Sequence, residues 1–308
     1  MHFFITGATG YVGRVVTEKA LAQGHSVHGL SRSDEGNALL RKLGATPVQG
    51  DLTSLDVLRR ESAKADAVLH LAFIHDFSID YEEVLRIDAA ALDAMSESLR
   101  ETGRPLVITS GTMIVEADPN GGETAEDAPP EKNPFLDRIR SEKYALSLVE
   151  KGVRTIVIRL APYVYGRGGS VFIPTWMQFA AKSSEAAYID DGNVHTSSVH
   201  VDDAAELYFL AAKRGKAGDI FNGASSTNVT IRELAGAIGA ALHIPVRSIT
   251  EDEANARWGP LLTKIVQIQN RASHRKAAEQ LGWKPEGTDI LSDIQSGSYV
   301  ALAEKLRQ

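Results

Sequence analysis

Glycine recurs every third residue where the first predicted strand, over residues 2–6, gives way to the first predicted helix. The turn between them reads Gly7-Ala8-Thr9-Gly10-Tyr11-Val12-Gly13. Here Gly7 permits a tight turn, Gly10 lets the backbone approach a pyrophosphate, and Gly13 allows close packing of helix on sheet. Free amides at the start of the helix favour an anion. The pattern predicts a dinucleotide site at Gly7, Thr9, Gly10, Tyr11, Val12 and Gly13; a glycine-rich turn without a ligand is the alternative.

Apolar runs and amphipathic segments alternate along the first half of the chain. Strands are predicted at 2–6, 26–30, 46–49, 67–72, 105–110 and 153–159, with helices between them, including one over 34–43 with Asp34 as its N-cap and one over 135–151. This alternation implies right-handed crossovers and a parallel sheet covered on both faces. After Pro162 the pattern loosens into helices near 172–182, 202–214, 230–242 and 273–281 and short strands near 187–190 and 219–222.

We therefore expect an α/β fold with a doubly wound, Rossmann-type parallel sheet and a smaller C-terminal α+β lobe. The predicted division assigns residues 1–165 to dinucleotide binding and residues 166–308 to the substrate, with the two parts interleaved and not independent. Residues 116–134 are acidic and rich in Pro and Gly. They predict either an active-site loop or a solvated connector.

Composition excludes several classes of function. The 308 residues carry 33 basic and 40 acidic side chains, for a net charge of −7, which argues against binding along a nucleic-acid backbone. Cysteine is absent, and no other metal-ligand pattern occurs, so no metal site is predicted. No apolar run reaches the roughly 18 residues of a membrane span, and no signal peptide precedes the first strand. We expect a soluble cytoplasmic protein that binds a small molecule.

The end of the second predicted strand indicates which dinucleotide binds. Ser31 and Arg32 stand where an NAD site usually offers a carboxylate, whereas an arginine there accommodates a 2′-phosphate. The planar guanidinium suits bidentate phosphate binding, so NADP is predicted. Arg32 as a solvated surface charge is the alternative, and the nearby Asp34 and Glu35 keep NAD possible.

Further short motifs follow in a specific order, namely Gly50-Asp51-Leu52, His70-Leu71-Ala72, Thr109-Ser110, the segment 159–166, Val199-His200-Val201-Asp202-Asp203 and Leu281-Gly282-Trp283-Lys284-Pro285. With the glycine-rich turn, they make nearly the whole chain resemble the extended short-chain dehydrogenase/reductase superfamily, which includes nucleotide-sugar epimerases and dihydroflavonol-type reductases.

The resemblance implies positions along a bound dinucleotide. It implies that Asp51 and Leu52 flank the adenine, and that Pro162 and Val164 lie near the nicotinamide. The residues it implies along the strand ends between them are Leu71, Ala72 and Thr109. Asp51 as a turn cap and Ala72 as ordinary strand packing are the alternatives. The resemblance also suggests a homodimer formed through the helices predicted at 84–102 and 135–151.

The chain departs from the superfamily at its catalytic residues. The usual chemistry needs a Ser or Thr, and a Tyr with a Lys one helical turn later. No tyrosine here has a lysine four places later. Matching Ser141 and Ala145 to the superfamily places Arg138 at the tyrosine position and Glu142 at the lysine position. A shift by one residue aligns Lys143 but places Ile139 at the tyrosine position, so neither alignment restores the pair. An i,i+4 ion pair between these two side chains is the alternative to catalysis.

The predicted catalytic residues are therefore Ser110, Thr112, Arg138 and Glu142, with Ser110 holding the substrate oxygen. Arginine is a poor proton donor near neutral pH, so the proton would come from water, the substrate or another side chain, with Tyr163, Tyr165 or His75 as candidates. The sequence predicts an NADP-dependent oxidoreductase acting on a carbonyl or secondary alcohol of a small molecule. An epimerase, dehydratase or isomerase that retains its nucleotide, and a non-catalytic NADP sensor, are the alternatives.

Overall fold

A parallel sheet of seven strands lies at the centre of the molecule, whose computed structural model describes residues 1–76, 78–134 and 137–308. The described residues form twelve strands, seven in this sheet and five in two smaller sheets. They are β1 (His2–Thr6), β2 (Ser26–Ser31), β3 (Thr46–Gln49), β4 (Ala67–His70), β5 (Pro105–Gly111), β6 (Arg154–Leu160), β7 (Tyr163–Tyr165), β8 (Ala186–Ile189), β9 (His195–His200), β10 (Ile220–Gly223), β11 (Ser226–Thr230) and β12 (Val246–Ile249).

Helices connect most of these strands. They are α1 (Tyr11–Ala22), α2 (Asp34–Leu43), α3 (Leu55–Lys64), α4 (Tyr81–Ser96), α5 (Ile139–Ser147), α6 (Phe172–Ser183), α7 (Val201–Arg214), α8 (Ile231–Leu242), α9 (Glu251–Val266), α10 (Arg275–Leu281), α11 (Ile290–Ser296) and α12 (Val300–Leu306). Short 3-10 turns cover Glu97–Leu99, Thr112–Ile114 and Leu148–Lys151. Within the described ranges, no helix combines the length and apolar character needed to cross a bilayer.

The order of strands in the main sheet fixes where a ligand can bind. The order is β10-β6-β5-β4-β1-β2-β3, and all neighbours are parallel. The chain runs outward from β1 in one direction and then returns to β4 and continues in the other. Such a reversal opens a crevice at the carboxyl ends of the two strands beside it. The carboxyl ends of β1, β4 and β5 therefore share one edge.

Both faces of the sheet are buried, as the near-continuous apolar strands predict. Successive side chains of a strand point to opposite faces. In β1, Phe3 and Ile5 pack with Val15 of α1 and Phe209 of α7. Phe4 packs on the other face with residues of α3 and α4. The result is a doubly wound, Rossmann-like α/β arrangement.

The C-terminal part of the chain builds a second apolar core. A mixed sheet of β11, β9 and β7 and a parallel pair of β12 and β8 lie there. Helices α6, α8, α11 and α12 enclose Met177, Leu234 and Ile294, each fully or almost fully buried.

The structure corrects several details of the predicted elements. The strand near 219–222 had been assigned to the C-terminal lobe, but β10 pairs with β6 in the main sheet. Ser33, not Asp34, caps α2, because its hydroxyl accepts a hydrogen bond from the Gly36 amide. The helix predicted over 135–151 begins as α5 at Ile139; its first two predicted residues, 135 and 136, lie outside the described residues.

The acidic segment 116–134 crosses the carboxyl edge of the sheet and is held by residues far along the chain. The Thr124 amide donates to the Arg271 carbonyl over 2.7 Å, and the Ser273 amide returns a bond to Thr124 over 2.9 Å. The carboxylate of Glu126 accepts from the Asn222 amide at the end of β10. The segment is therefore fastened to β10 and to the chain before α10, and is not a free connector.

Candidate functional site

The turn over residues 7–13, here called the nucleotide turn, joins β1 to α1 at the crevice. Gly7 adopts a φ of 69°, which favours glycine, and its carbonyl accepts from the Gly10 amide over 2.9 Å. A Cβ on Gly13 would lie 2.0 Å from the Gly7 carbonyl oxygen, so only glycine fits there. Gly10 is the N-cap of α1 and offers no side-chain cap, which leaves the amides of the first turn open to an anion.

The side chains of the nucleotide turn are partly committed to other contacts. Tyr11 donates its hydroxyl to the Gly166 carbonyl over 2.7 Å and so ties α1 to the segment after β7. Thr9 lies beside α2, where a Cβ on Gly36 would stand 3.1 Å from the Thr9 methyl group. Val12 packs against the main core. The open binding groups of this turn are therefore its backbone amides.

The end of β2 carries an exposed cation beside a helix N-terminus. Ser31 is buried and donates its hydroxyl to the Ser33 carbonyl over 3.2 Å. Arg32 is exposed and, within the described part of the chain, makes no ion pair or side-chain hydrogen bond. Its guanidinium is free to meet a ligand at the start of α2.

Asp51 and Leu52 follow β3, and both have structural partners. Asp51 Oδ1 accepts from the Thr53 amide over 2.8 Å and from the Thr53 hydroxyl over 2.6 Å. These hydrogen bonds hold the pKa of Asp51 below its usual value. Asp51 thus caps the turn before α3, through Oδ1. Leu52 is buried in the same core as Leu30, so its side chain packs inside the protein.

A buried polar chain that the sequence analysis missed begins beneath the nucleotide turn. The Thr6 hydroxyl accepts from the Ala72 amide over 3.2 Å and forms a 2.7 Å hydrogen bond with His70 Nδ1. His70 Nε2 lies 3.2 Å from Asp88 Oδ1, and the other oxygen of Asp88 accepts from the Ser141 hydroxyl. Burial acts to raise the pKa of Asp88, but the bonds from His70 and Ser141 hold it below its usual value.

These hydrogen-bonded side chains connect β1, β4, α4 and α5 beneath the crevice. The predicted cofactor residues Leu71 and Ala72 follow His70 and are half-buried. The sequence gives only a weak indication of these hydrogen bonds, because it shows Thr6 and His70 as single polar residues that each end an apolar strand. Only a fold that brings the two strands together makes them partners.

The predicted catalytic residues Ser110, Thr112, Arg138 and Glu142, here called the catalytic corner, meet at the end of β5. Thr109 donates its hydroxyl to the His70 carbonyl over 3.1 Å, and its oxygen lies 2.7 Å from the Tyr208 hydroxyl. Thr112 donates to Asn270 Oδ1 over 2.9 Å. The buried hydroxyl of Ser110 has no hydrogen-bond partner among the residues that the structure describes. Ser110 is thus the uncommitted hydroxyl at this strand end.

Arg138 and Glu142 do not form the i,i+4 ion pair that was the alternative to catalysis. Glu142 instead receives charge-assisted hydrogen bonds from two nitrogens of Arg159 of β6, at 2.6 Å from Nη2 and at 3.0 and 3.3 Å from Nε, and both side chains are buried. Arg138 Nη2 donates to the Thr109 carbonyl over 2.9 Å. Glu142 is therefore occupied by a structural pair, whereas Arg138 faces the strand end.

The candidate proton donors lie in different surroundings. Tyr163 is buried against Phe172 and Trp176, and burial raises its pKa. Tyr165 donates its hydroxyl to the Thr288 carbonyl over 2.7 Å inside the C-terminal core. His75 is exposed just after β4, with its ring centroid 5.5 Å from that of Phe73. Phe73 in turn lies under Arg138, so His75 is the candidate beside the catalytic corner.

The remaining predicted positions lie where β6 leads into β7. Pro162 is half-buried between the two strands. Val164 pairs with Val199 of β9 and packs against the main core. Among the described residues, no group of three or more His, Asp or Glu side chains is arranged to hold a metal ion.

Comparison with known proteins identifies the family. The model of the NAD dependent epimerase/dehydratase family matches residues 3–224. An uncharacterized protein of Schizosaccharomyces pombe is 37% identical over 299 residues, covering 97% of this chain and 100% of that protein. A 4-hydroxy-2-methyl-3-oxo-4-farnesyl-3,4-dihydroquinoline-1-oxide ketoreductase of Stigmatella aurantiaca is 28% identical, over 72% of this chain and 67% of its own.

A solved structure supports the fold. The dTDP-glucose 4,6-dehydratase of Streptomyces venezuelae, determined with NAD and TYD bound, superposes with a TM-score of 0.79 at 19% identity, covering 99% of this chain and 98% of that one. The family match spans the nucleotide turn, the catalytic corner and every strand of the main sheet. The chain therefore belongs to the NAD-dependent epimerase/dehydratase family and is an enzyme of the short-chain dehydrogenase/reductase type.

Proposed function

We propose that this protein is an NADP-dependent oxidoreductase that interconverts a carbonyl group and a secondary alcohol in a small organic molecule. The observation that carries the proposal is the uncommitted hydroxyl of Ser110 at the carboxyl end of β5. Only β4 separates β5 from β1, where the nucleotide turn offers its amides, and all three strands are parallel. The resemblance to a ketoreductase agrees with this reaction class.

The residues of the site fit a dinucleotide. The glycine cradle leaves no room for a side chain at residue 13 and presents open amides for a pyrophosphate. When bound, NADPH supplies a hydride to the carbonyl carbon. Ser110 donates a hydrogen bond to the carbonyl oxygen and orients it. That oxygen takes up a proton, for which we propose His75. Partial burial and the charge of Arg138 lower the pKa of this histidine, which makes its protonated form a stronger acid.

Arg32 supports NADP over NAD. Its guanidinium is exposed beside the N-terminus of α2 and is free of protein partners in the described part of the chain. A 2′-phosphate there would gain charge-assisted hydrogen bonds. Asp51, which caps its turn through Oδ1, keeps Oδ2 for the adenine amino group.

The test follows NADPH absorbance with a panel of ketones and aldehydes. We expect turnover, and we expect Ser110→Ala to lower kcat/KM by about 100-fold because the oxygen loses its positioning donor. Ser147→Ala is the matched control, since that hydroxyl bonds only to the Tyr144 carbonyl of its own helix. Nucleotide retained through purification without net consumption would instead identify an epimerase, dehydratase or isomerase. Cofactor binding without any turnover would identify a sensor.

We also infer a homodimer that pairs α4 and α5 of two chains. A groove of about 300 Å³ between these helices is lined by Leu85, Ala89 and Tyr144 and flanked by Glu82 and Arg140. Light scattering of the purified protein tests this inference, and a monomer at micromolar concentration would contradict it.

A further inference from the structure

Arg138 is held rigidly at the edge of the catalytic corner. Its Nη2 donates to the Thr109 carbonyl over 2.9 Å, and its central carbon lies 3.9 Å from the centroid of the Phe73 ring. The guanidinium plane is thus fixed by one hydrogen bond and by contact with one aromatic face. Such a group is preorganised, so little freedom is lost when it binds a ligand.

The carboxylates of Asp88 and Glu142 attract the charge of Arg138 from beyond ion-pair distance. An arginine side chain has five N–H donors, and one is used here. In the ranges 1–76, 78–134 and 137–308, no carboxylate forms an ion pair with it. The nearby acids are committed elsewhere, Glu142 to Arg159 and Asp88 to His70 and Ser141. Removal from water lowers the pKa of Arg138, which marks the cost of this position.

Other arginines on and near α5 are paired. Arg140, two residues further on, binds Glu82 through two nitrogens on the protein surface. Arg159 binds Glu142 in the interior. Burying a guanidinium with unbonded N–H donors costs free energy unless an anion accepts hydrogen bonds from it. The anion is therefore to be sought in the ligand.

We propose that Arg138 binds a carboxylate of the substrate, so that the substrate is an oxo acid or the corresponding hydroxy acid. This proposal rests on the oxidoreductase function proposed above. One guanidinium balances one negative charge, which favours a carboxylate over a doubly charged phosphate. Its planar fork also matches a planar carboxylate with two parallel hydrogen bonds. The neighbouring Ser110 then holds the carbonyl oxygen of the same molecule.

The kinetic experiment compares oxo acids of increasing chain length with their methyl esters. The wild-type enzyme should reduce an acid in preference to its ester. Arg138→Met, which keeps an unbranched apolar stem and removes the guanidinium, should raise KM for the acid at least tenfold and change KM for the ester less than twofold. Arg138→Lys should recover part of the loss. Arg59→Met, at an exposed ion pair on α3, is the matched control and should leave both substrates unchanged.

A binding experiment separates this proposal from the oxidoreductase reaction. Benzoate, acetate and inorganic phosphate are titrated calorimetrically into protein saturated with NADP⁺. We expect benzoate and acetate to bind the wild type and Arg59→Met, and not Arg138→Met. Thermal stabilisation by NADP⁺ shows whether each variant is folded. Carboxylate binding that is lost only in Arg138→Met supports the proposal even if no carbonyl compound is reduced.

Three results would overturn the proposed carboxylate site without contradicting the proposed oxidoreductase function. The first is reduction of esters as well as acids with no change in Arg138→Met. The second is benzoate binding that survives in folded Arg138→Met. The third is no carboxylate binding to the wild-type protein. Binding of phosphate in preference to both carboxylates would replace the carboxylate by a phosphorylated substrate.

Discussion

The nucleotide turn and the catalytic corner lie on the same edge of the same sheet, yet they obey different constraints. The nucleotide turn is defined by backbone sterics, because a Cβ on Gly13 would overlap the Gly7 carbonyl. The catalytic corner is defined by side chains, and the match of Ser141 to the superfamily predicts Arg138 and Glu142 at its usual tyrosine and lysine positions. The backbone geometry allows only glycine at residue 13, whereas different sets of side chains can satisfy one another's charges and hydrogen bonds at the catalytic corner.

The negative charge of Glu142 at the catalytic corner is compensated by Arg159. Glu142 occupies a buried position and would be an unpaired charge there without Arg159 of β6. Arg159 also donates to the Glu126 carbonyl over 2.9 Å, which attaches the acidic segment. At the predicted lysine position Glu142 is thus part of the scaffold, and at the predicted tyrosine position Arg138 is a fixed cation.

The strictest test of the comparison is Gly13→Val. We expect loss of NADP binding by at least 1,000-fold, about 4 kcal/mol, because the side chain displaces the Gly7 carbonyl and opens the turn. Calorimetry with NADP⁺ measures the effect. Gly236→Ala in α8 is the matched control, since nothing lies within 4 Å of its added Cβ and helix propensity improves. Binding by Gly13→Val within tenfold of wild type would show that the turn is not set by sterics.

Glu142→Ala tests whether the lysine position is structural. Removing one partner of a buried ion pair leaves Arg159 uncompensated and should cost about 3–5 kcal/mol of unfolding free energy. Urea denaturation measures this cost. Glu82→Ala, which breaks the surface pair with Arg140, should cost less than about 1 kcal/mol. If Glu142→Ala keeps full stability but loses turnover, the residue is catalytic and not structural.

Arg32→Ala sharpens the account of the nucleotide end. Loss of a charge-assisted contact should weaken NADP binding by roughly 10- to 100-fold, about 1.5–3 kcal/mol, with little change for NAD. Arg41→Ala at the far end of α2 serves as the control. Equal weakening of both dinucleotides would contradict the assignment of Arg32 to the 2′-phosphate.

The stability of the protein at low pH tests the row of hydrogen-bonded side chains formed by Thr6, His70, Asp88 and Ser141. Because the pKa of Asp88 is lowered on folding, its contribution is present above the pKa of the unfolded chain. It is lost as the pH falls through the lower, folded value. Asp88→Asn should therefore reduce stability near neutral pH, by about 1–3 kcal/mol, and flatten its decline in acid. Asp56→Asn, at a 98% exposed side chain, should follow the wild-type profile. Parallel profiles for wild type and Asp88→Asn would rule out this role.

The main sheet could be predicted because its signals are local. The continuous apolar run of β1 indicates a strand covered on both faces, and the four-residue spacing in α1 indicates which face of the helix is covered. The strand of residues 220–223 was misplaced because four residues carry no information about which sheet they join. Helix α9 was missed because Gly259 and Pro260 interrupt it, and Gly259 adopts a non-helical φ of 78°.

The site was predictable to the extent that backbone geometry fixes it. The glycine spacing located the nucleotide turn, and the absent Tyr–Lys pair followed from counting alone. The partner of Glu142 could not be inferred, since Arg159 comes from a different strand and is brought near by the sheet register. In the same way, Thr6, His70 and Asp88 form one chain only after three elements meet.

The attachment of residues 116–134 to Arg271 and Ser273 has a consequence for biosynthesis. Ribosomes release a protein from its N-terminus, so the central sheet strands up to β6 emerge well before those anchors do. This attachment of the segment beside the active site must therefore wait until residues 271–273 have been translated. A nascent chain stalled before that point would hold this segment through Arg159 and Asn222 and would lack its second attachment.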